Sequence, residues 1–233
     1  MPVMATRTER IQPGFDAHVA LPDAGRGPGL VLLQEIFGVN DYVEDAARRL
    51  AELGYVVLAP DLYWRTDPGL ALAADEMPRA FAAAQQLDHE LAARDAIVAL
   101  AELRGLPEVA GGRAGVLGFC LGGTLAWHVA AQGEPDAAVC YYGSGIAGAL
   151  EAAASITCPT LLHFGGADPY IPREDVDAVA ALAAGRDDFE CHVHDGAGHA
   201  FDNSFAPMFS DPPAAARAWE LTSAFLARTL PTG

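Results

Sequence analysis

Gly115-Val116-Leu117-Gly118-Phe119-Cys120-Leu121-Gly122-Gly123 reads as the end of a strand, a tight turn and the start of a helix. The apolar run into Phe119 is short and bounded by glycine, which suits a buried strand. The Gly-x-Cys-x-Gly turn then has the form of a nucleophile elbow. Small flanking residues make room for the sharp bend, and the central side chain is lifted above the end of the sheet. The helix that follows at once places Cys120 at its N-terminus, where backbone N–H groups and the dipole favour a thiolate. Cys120 is therefore the candidate nucleophile.

Outward from this turn, short apolar runs alternate with helical patterns. Residues 29–33, 55–59, 113–119, 137–142 and 160–164 read as buried strands, and 15–21 and 189–194 as further strands. Helical periodicity marks 42–53, 89–103, 121–132, 173–184 and 214–229. The alternation predicts an α/β fold in which a mostly parallel central sheet carries helices on both faces. No repeat, low-complexity tract or linker interrupts it, so residues 1–233 are expected to form a single domain. Residues 64–77 contain Pro68 and Gly69 and have weak periodicity; they are expected to form a long loop over one end of the sheet.

Composition narrows the function classes. Apolar residues make up 52% of the chain, enough for a large core. The formal net charge of −17 repels nucleic acids and anionic membranes, so neither is expected as a partner. Four widely spaced cysteines form no C-x-x-C pair, and a fold of this size needs no disulfides, which points to a reducing, cytoplasmic setting. Residues 1–12 are polar and lack the apolar run of a secretory leader. His192 and His194 share one side of a strand, but nothing at ligand spacing completes a metal site, and no metal or other cofactor is called for.

A nucleophile needs a base within reach, and the base needs a third group to hold its tautomer. Among seven histidines, only His199 combines a Gly-rich turn, 195–201, with a place downstream of the elbow. His163, His192 and His194 lie within strands, His18 in the first of them, and His89 and His128 in helices. For the orienting acid, Asp168 ends the strand-turn run Leu161-Leu162-His163-Phe164-Gly165-Gly166-Ala167-Asp168. Asp195 and Asp202, which flank His199, are its rivals.

Taken together, Gly-Phe-Cys-Leu-Gly-Gly at 118–123, Gly-Gly-Ala-Asp at 165–168 and Gly-Ala-Gly-His-Ala-Phe at 196–201 resemble the dienelactone hydrolase (carboxymethylenebutenolidase) family of the α/β-hydrolase fold. Gln34-Glu35-Ile36-Phe37-Gly38 and Pro60-Asp61-Leu62-Tyr63 extend the resemblance along nearly the whole chain. It implies a cysteine-dependent hydrolase of a small ester or lactone, with Cys120, Asp168 and His199 as triad. It implies that Glu35 takes the thiol proton when substrate binds, and that the N–H groups of Ile36 and Leu121 form the oxyanion hole. Glu35 also closes the apolar run Val31-Leu32-Leu33, where a carboxylate needs a partner.

The same resemblance implies two arginines that hold a substrate carboxylate. Four residues after His199 this chain has Asn203, preceded by Asp202. Arg79 is the nearest candidate for the other, with Arg65 as a further one. The aromatics Phe37, Tyr63, Trp64, Phe81, Tyr142 and Phe201 are candidates to shape an apolar pocket; of these Phe37, Tyr63 and Phe201 adjoin motif residues and are expected to contact substrate, together with Asn203. A general carboxylesterase or thioesterase acting on neutral substrates is the alternative reading, and a non-catalytic ligand-binding member of the fold is a third. Monomer and small homo-oligomer both remain open.

Overall fold

The computed structural model describes residues 5–232; residues 1–4 and 233, including the start of the polar stretch 1–12 and both ends of the expected domain, lie outside them. Eight strands form one sheet: β1 (Thr6–Gln12), β2 (Phe15–Ala20), β3 (Gly27–Leu33), β4 (Val56–Pro60), β5 (Val109–Phe119), β6 (Ala138–Tyr141), β7 (Thr160–Gly165) and β8 (Phe189–His194). Their order is β1-β2-β4-β3-β5-β6-β7-β8. From β4 to β8 every pair is parallel, and β1 and β2 add an antiparallel edge. The central strands β3, β4, β6 and β7 are buried along their whole length, as a sheet covered on both faces requires.

Among the described residues six α-helices complete the layers: α1 (Asp41–Glu52), α2 (Met77–Gln86), α3 (His89–Gly105), α4 (Leu121–Gln132), α5 (Arg173–Ala184) and α6 (Pro212–Thr229). A 3₁₀ segment, Ala147–Ser155, lies between β6 and β7. The helix starts follow local chemistry. Asn40 and Asp88 accept hydrogen bonds from the N–H groups of Val43 and Leu91, and Asp211 caps α6 by accepting from Ala214 N. Pro212 and Pro213 open α6, where a missing N–H leaves no helical bond unmade. On one face α3 packs on α4. On the other α1 meets α6, the Arg49 guanidinium lying 3.9 Å from the centre of the Trp219 ring.

Three elements depart from the sequence reading. Thr6–Gln12 is an edge strand; its side chains are mostly charged or polar because one edge faces solvent. The region after Trp64 is a loop, as read, but Met77–Gln86 folds as α2. This helix buries one residue of its own, Ala80, and the sequence reading assigns it no element. It rests on a small apolar cluster of Phe37, Tyr63, Leu70 and Leu72, separate from the main core. The Ala147–Ser155 segment is likewise unmarked by periodicity, being 3₁₀ and kinked at Ala149.

No helix among the described residues is long and apolar enough to cross a membrane.

Candidate active site

The carboxyl ends of β3, β5, β7 and β8 lead into four turns that meet at one end of the sheet, the usual place for a ligand in an open parallel sheet. The turn after β5 holds Cys120 at φ 54° and ψ −113°, a conformation that strains any residue with a Cβ. It is held there by Cys120 N donating to Tyr141 O at 3.0 Å and Gly122 N donating to Gln34 O at 3.0 Å. The second bond pulls the turn after β3 against the start of α4. A Cβ on Gly122 would stand 2.2 Å from Leu33 O, so only glycine permits this approach.

The turn after β7 carries Asp168, and the turn after β8 carries His199. Backbone bonds join the two: Gly166 N to His194 O at 2.8 Å and Ala167 N to Ala197 O at 2.9 Å. A side chain on Gly165 would strike Ala197 O and Gly198 O, each 2.5 Å from its Cβ. The junction places His199 Nδ1 2.7 Å from Asp168 Oδ2 and His199 Nε2 3.1 Å from Cys120 Sγ. Asp168 Oδ1 accepts from the N–H groups of Tyr170 and Ile171, at 2.8 and 3.2 Å, and its side chain is fully buried. Burial works against a charge on His199, but hydrogen bonds to Asp168 and Cys120 outweigh it and raise its pKa to about 10. The rivals of Asp168 lie elsewhere. Asp195 is exposed, and Asp202 accepts from the Tyr42 hydroxyl at 2.8 Å and pairs with Arg49.

Glu35 is 2% exposed. Asn203 Nδ2 donates to its Oε2 at 2.7 Å, while Oε1 is buried with no hydrogen-bond partner. Burial pushes the carboxyl from 4.5 up to about 7, against the Asn203 bond and the His199 charge, which pull it down. The N–H groups of Ile36 and Leu121 are used by no hydrogen bond within the described residues. Both residues line the same cavity as Cys120, His199 and Glu35, a cleft of about 310 Å³.

Several residues read as substrate contacts stand outside that cavity. Arg79 is 60% exposed and pairs with Asp67 and Glu76; Arg65 pairs with Asp95 and lies over the Trp64 ring. Sequence order alone put both near the site, but Asp67 and Glu76 of loop 64–77 hold Arg79 away, and Asp95 of α3 holds Arg65. Tyr63 is fully buried and donates its hydroxyl to Ile36 O at 3.0 Å, so it braces the segment that carries the Ile36 N–H. Phe201 is fully buried against Tyr141, Tyr142 and His194. Asn203 faces Glu35. Phe37 does line the cavity. The remaining wall comes from residues without a motif: Met77, Phe81 and Ala84 of α2, Thr124, Ser144, Tyr170 and Phe209, with His89 at the start of α3. Of these, Phe81 is among the aromatics the sequence offers for the pocket, and the i, i+4, i+7 spacing of Met77, Phe81 and Ala84 is the further signal.

A family model described as the dienelactone hydrolase family matches residues 15–230. A carboxymethylenebutenolidase of Pseudomonas sp. (strain P51) is 38% identical over 222 residues, covering 94% of this chain and 92% of its own. The carboxymethylenebutenolidase of Rhodococcus opacus is 35% identical, covering 99% and 92%. Among solved structures, a dienelactone hydrolase-like promiscuous phosphotriesterase from metagenomic libraries superposes with a TM-score of 0.81 at 26% identity, covering 97% of this chain and 99% of the other.

Proposed function

Since the chain belongs to the dienelactone hydrolase family and is a hydrolase of ester or lactone substrates, we propose that it works through Cys120 by way of a thioester. The observation that carries this reading is the continuous line of Asp168, His199 and Cys120, joined at 2.7 and 3.1 Å and open to a cavity. Sγ attacks the carbonyl carbon. The oxygen that becomes negative lies between the N–H groups of Leu121 and Ile36. His199, which enters the step as the imidazolium paired with Asp168, gives its Nε2 proton to the departing oxygen as the C–O bond breaks. Water then attacks the thioester, His199 takes its proton, sulfur leaves as the thiolate with the acid, and Glu35 returns the proton that restores the thiol. Glu35 at the cavity wall is the acceptor for the thiol proton when substrate enters. No step calls for a metal or an organic cofactor.

Two further readings accompany this one. The unbroken sheet from Thr6 to His194, with α6 returning on it, supports a single domain. Four free cysteines, two of them buried, suit a reducing compartment such as the cytoplasm.

Hydrolysis of dienelactone and of simple aryl esters by wild type and Cys120→Ala tests the mechanism. Loss of about 10⁴-fold in kcat is expected for every substrate. Full activity in the variant overturns it.

A further inference from the structure

We propose, resting on the hydrolase reading above, that this site selects uncharged esters or lactones whose apolar group lies against α2, and turns away substrates that carry a carboxylate. Met77, Phe81 and Ala84 present one face of α2 to the cavity, and Phe37 continues that wall. Phe81 is 44% exposed, a large apolar side chain on the cleft with room for an apolar group beside it. The volume of about 310 Å³ suits a small acyl or aryl group.

The charges point the same way. Among the described residues no Arg or Lys lines the cavity. Arg65 and Arg79, the cations nearest in sequence, are held by Asp95, Asp67 and Glu76. Asn203, where the resemblance implies an arginine, is occupied in bonding Glu35. The acid that does face the cavity, Glu35, repels an anion. A substrate carboxylate would give up water here without gaining a guanidinium, which is costly, whereas a methyl or phenyl group gains from the same transfer. Apart from His199, His89 is the one lining side chain that is able to become cationic.

The test compares kcat/KM for 4-methylphenyl acetate and 4-acetoxybenzoate, which differ in a methyl against a carboxylate. Each value is divided by the substrate's own rate with hydroxide, to remove the difference in leaving group. A preference of about 100-fold for the methyl compound is expected. Phe81→Arg, a change at a half-exposed position, should narrow it by at least about tenfold by supplying the missing cation. His89→Gln should leave a large preference in place. A ratio near one, a preference for the carboxylate, or a ratio that Phe81→Arg does not move overturns the proposal. If neither ester is turned over by folded wild type, the hydrolase reading itself fails and this inference falls with it.

Discussion

Glu35→Gln removes a carboxyl that ionises at a cost where it sits. Its Oε1 has no partner, its Oε2 accepts from Asn203, and burial has raised it from 4.5 to about 7. The folded chain therefore keeps this proton at pH values where the unfolded chain has lost it. Such a group supports folding fully below about pH 4.5, and the support is lost as pH rises through about 7. At about 1.4 kcal/mol per pH unit, the ionised carboxylate weakens the fold by about 3 kcal/mol above that window. Glutamine keeps an acceptor for Asn203 and places an N–H₂ where Oε1 now lies. Any cost of that unpaired donor, about 1–3 kcal/mol, does not change with pH. The stability of the variant relative to wild type is thus expected to rise by about 2.5 kcal/mol between pH 5 and pH 8. Urea unfolding of both proteins at four pH values, with equal m, measures it. A difference that stays flat across that range refutes the argument that burial of this carboxyl sets its protonation. In the same variant kcat/KM should fall by about 10²-fold, the usual weight of a proton acceptor.

Other perturbations probe the neighbouring parts. Asn203→Ala takes away the hydrogen bond that holds Glu35 down, so the acid limb of kcat/KM against pH should move up by about 1–2 pH units, and an unmoved limb in a folded variant would separate Glu35 from catalysis. Gly122→Ala drives a Cβ to within 2.2 Å of Leu33 O and 2.7 Å of Gln34 O, backbone that has no slack; a loss of about 3 kcal/mol, read as a thermal midpoint lower by about 6–12 °C, is expected. His163 is buried, with Nδ1 3.1 Å from His194 Nε2 and Nε2 3.1 Å from the Thr222 hydroxyl; burial, then His194 and His192, hold it neutral well below the ordinary 6.5. The unfolded chain binds a proton there below that pH and the folded chain does not, so stability falls on acidification by about 1.4 kcal/mol per pH unit, a slope that His163→Gln should flatten in denaturant titrations at pH 5 to 7.

The fold was legible wherever a residue's local pattern and its tertiary role coincide. Runs such as Leu30–Leu33 and Leu161–Phe164 are apolar throughout because both faces of their strands are covered, and sequence shows that directly. Thr6–Gln12 was not legible, since an edge strand has one partner and keeps polar side chains. Nor was α2, whose support is a satellite cluster assembled from Phe37, Tyr63, Leu70 and Leu72.

The sequence by itself determined the sharp turn at Cys120, the α/β alternation and the chain order of Cys120, Asp168 and His199, because each depends on neighbours in the chain: a glycine beside the bend, a strand before it, a helix after. What each side chain near the site meets was decided by the tertiary structure alone. Arg79 and Arg65 are drawn to Asp67, Glu76 and Asp95 and away from the cavity, Tyr63 turns to Ile36 O, and Asn203 closes on Glu35 across 168 positions of chain. Such pairings are set by which turns the sheet brings to one end and by the desolvation of the groups caught between them, and neither quantity is a property of any local stretch of residues.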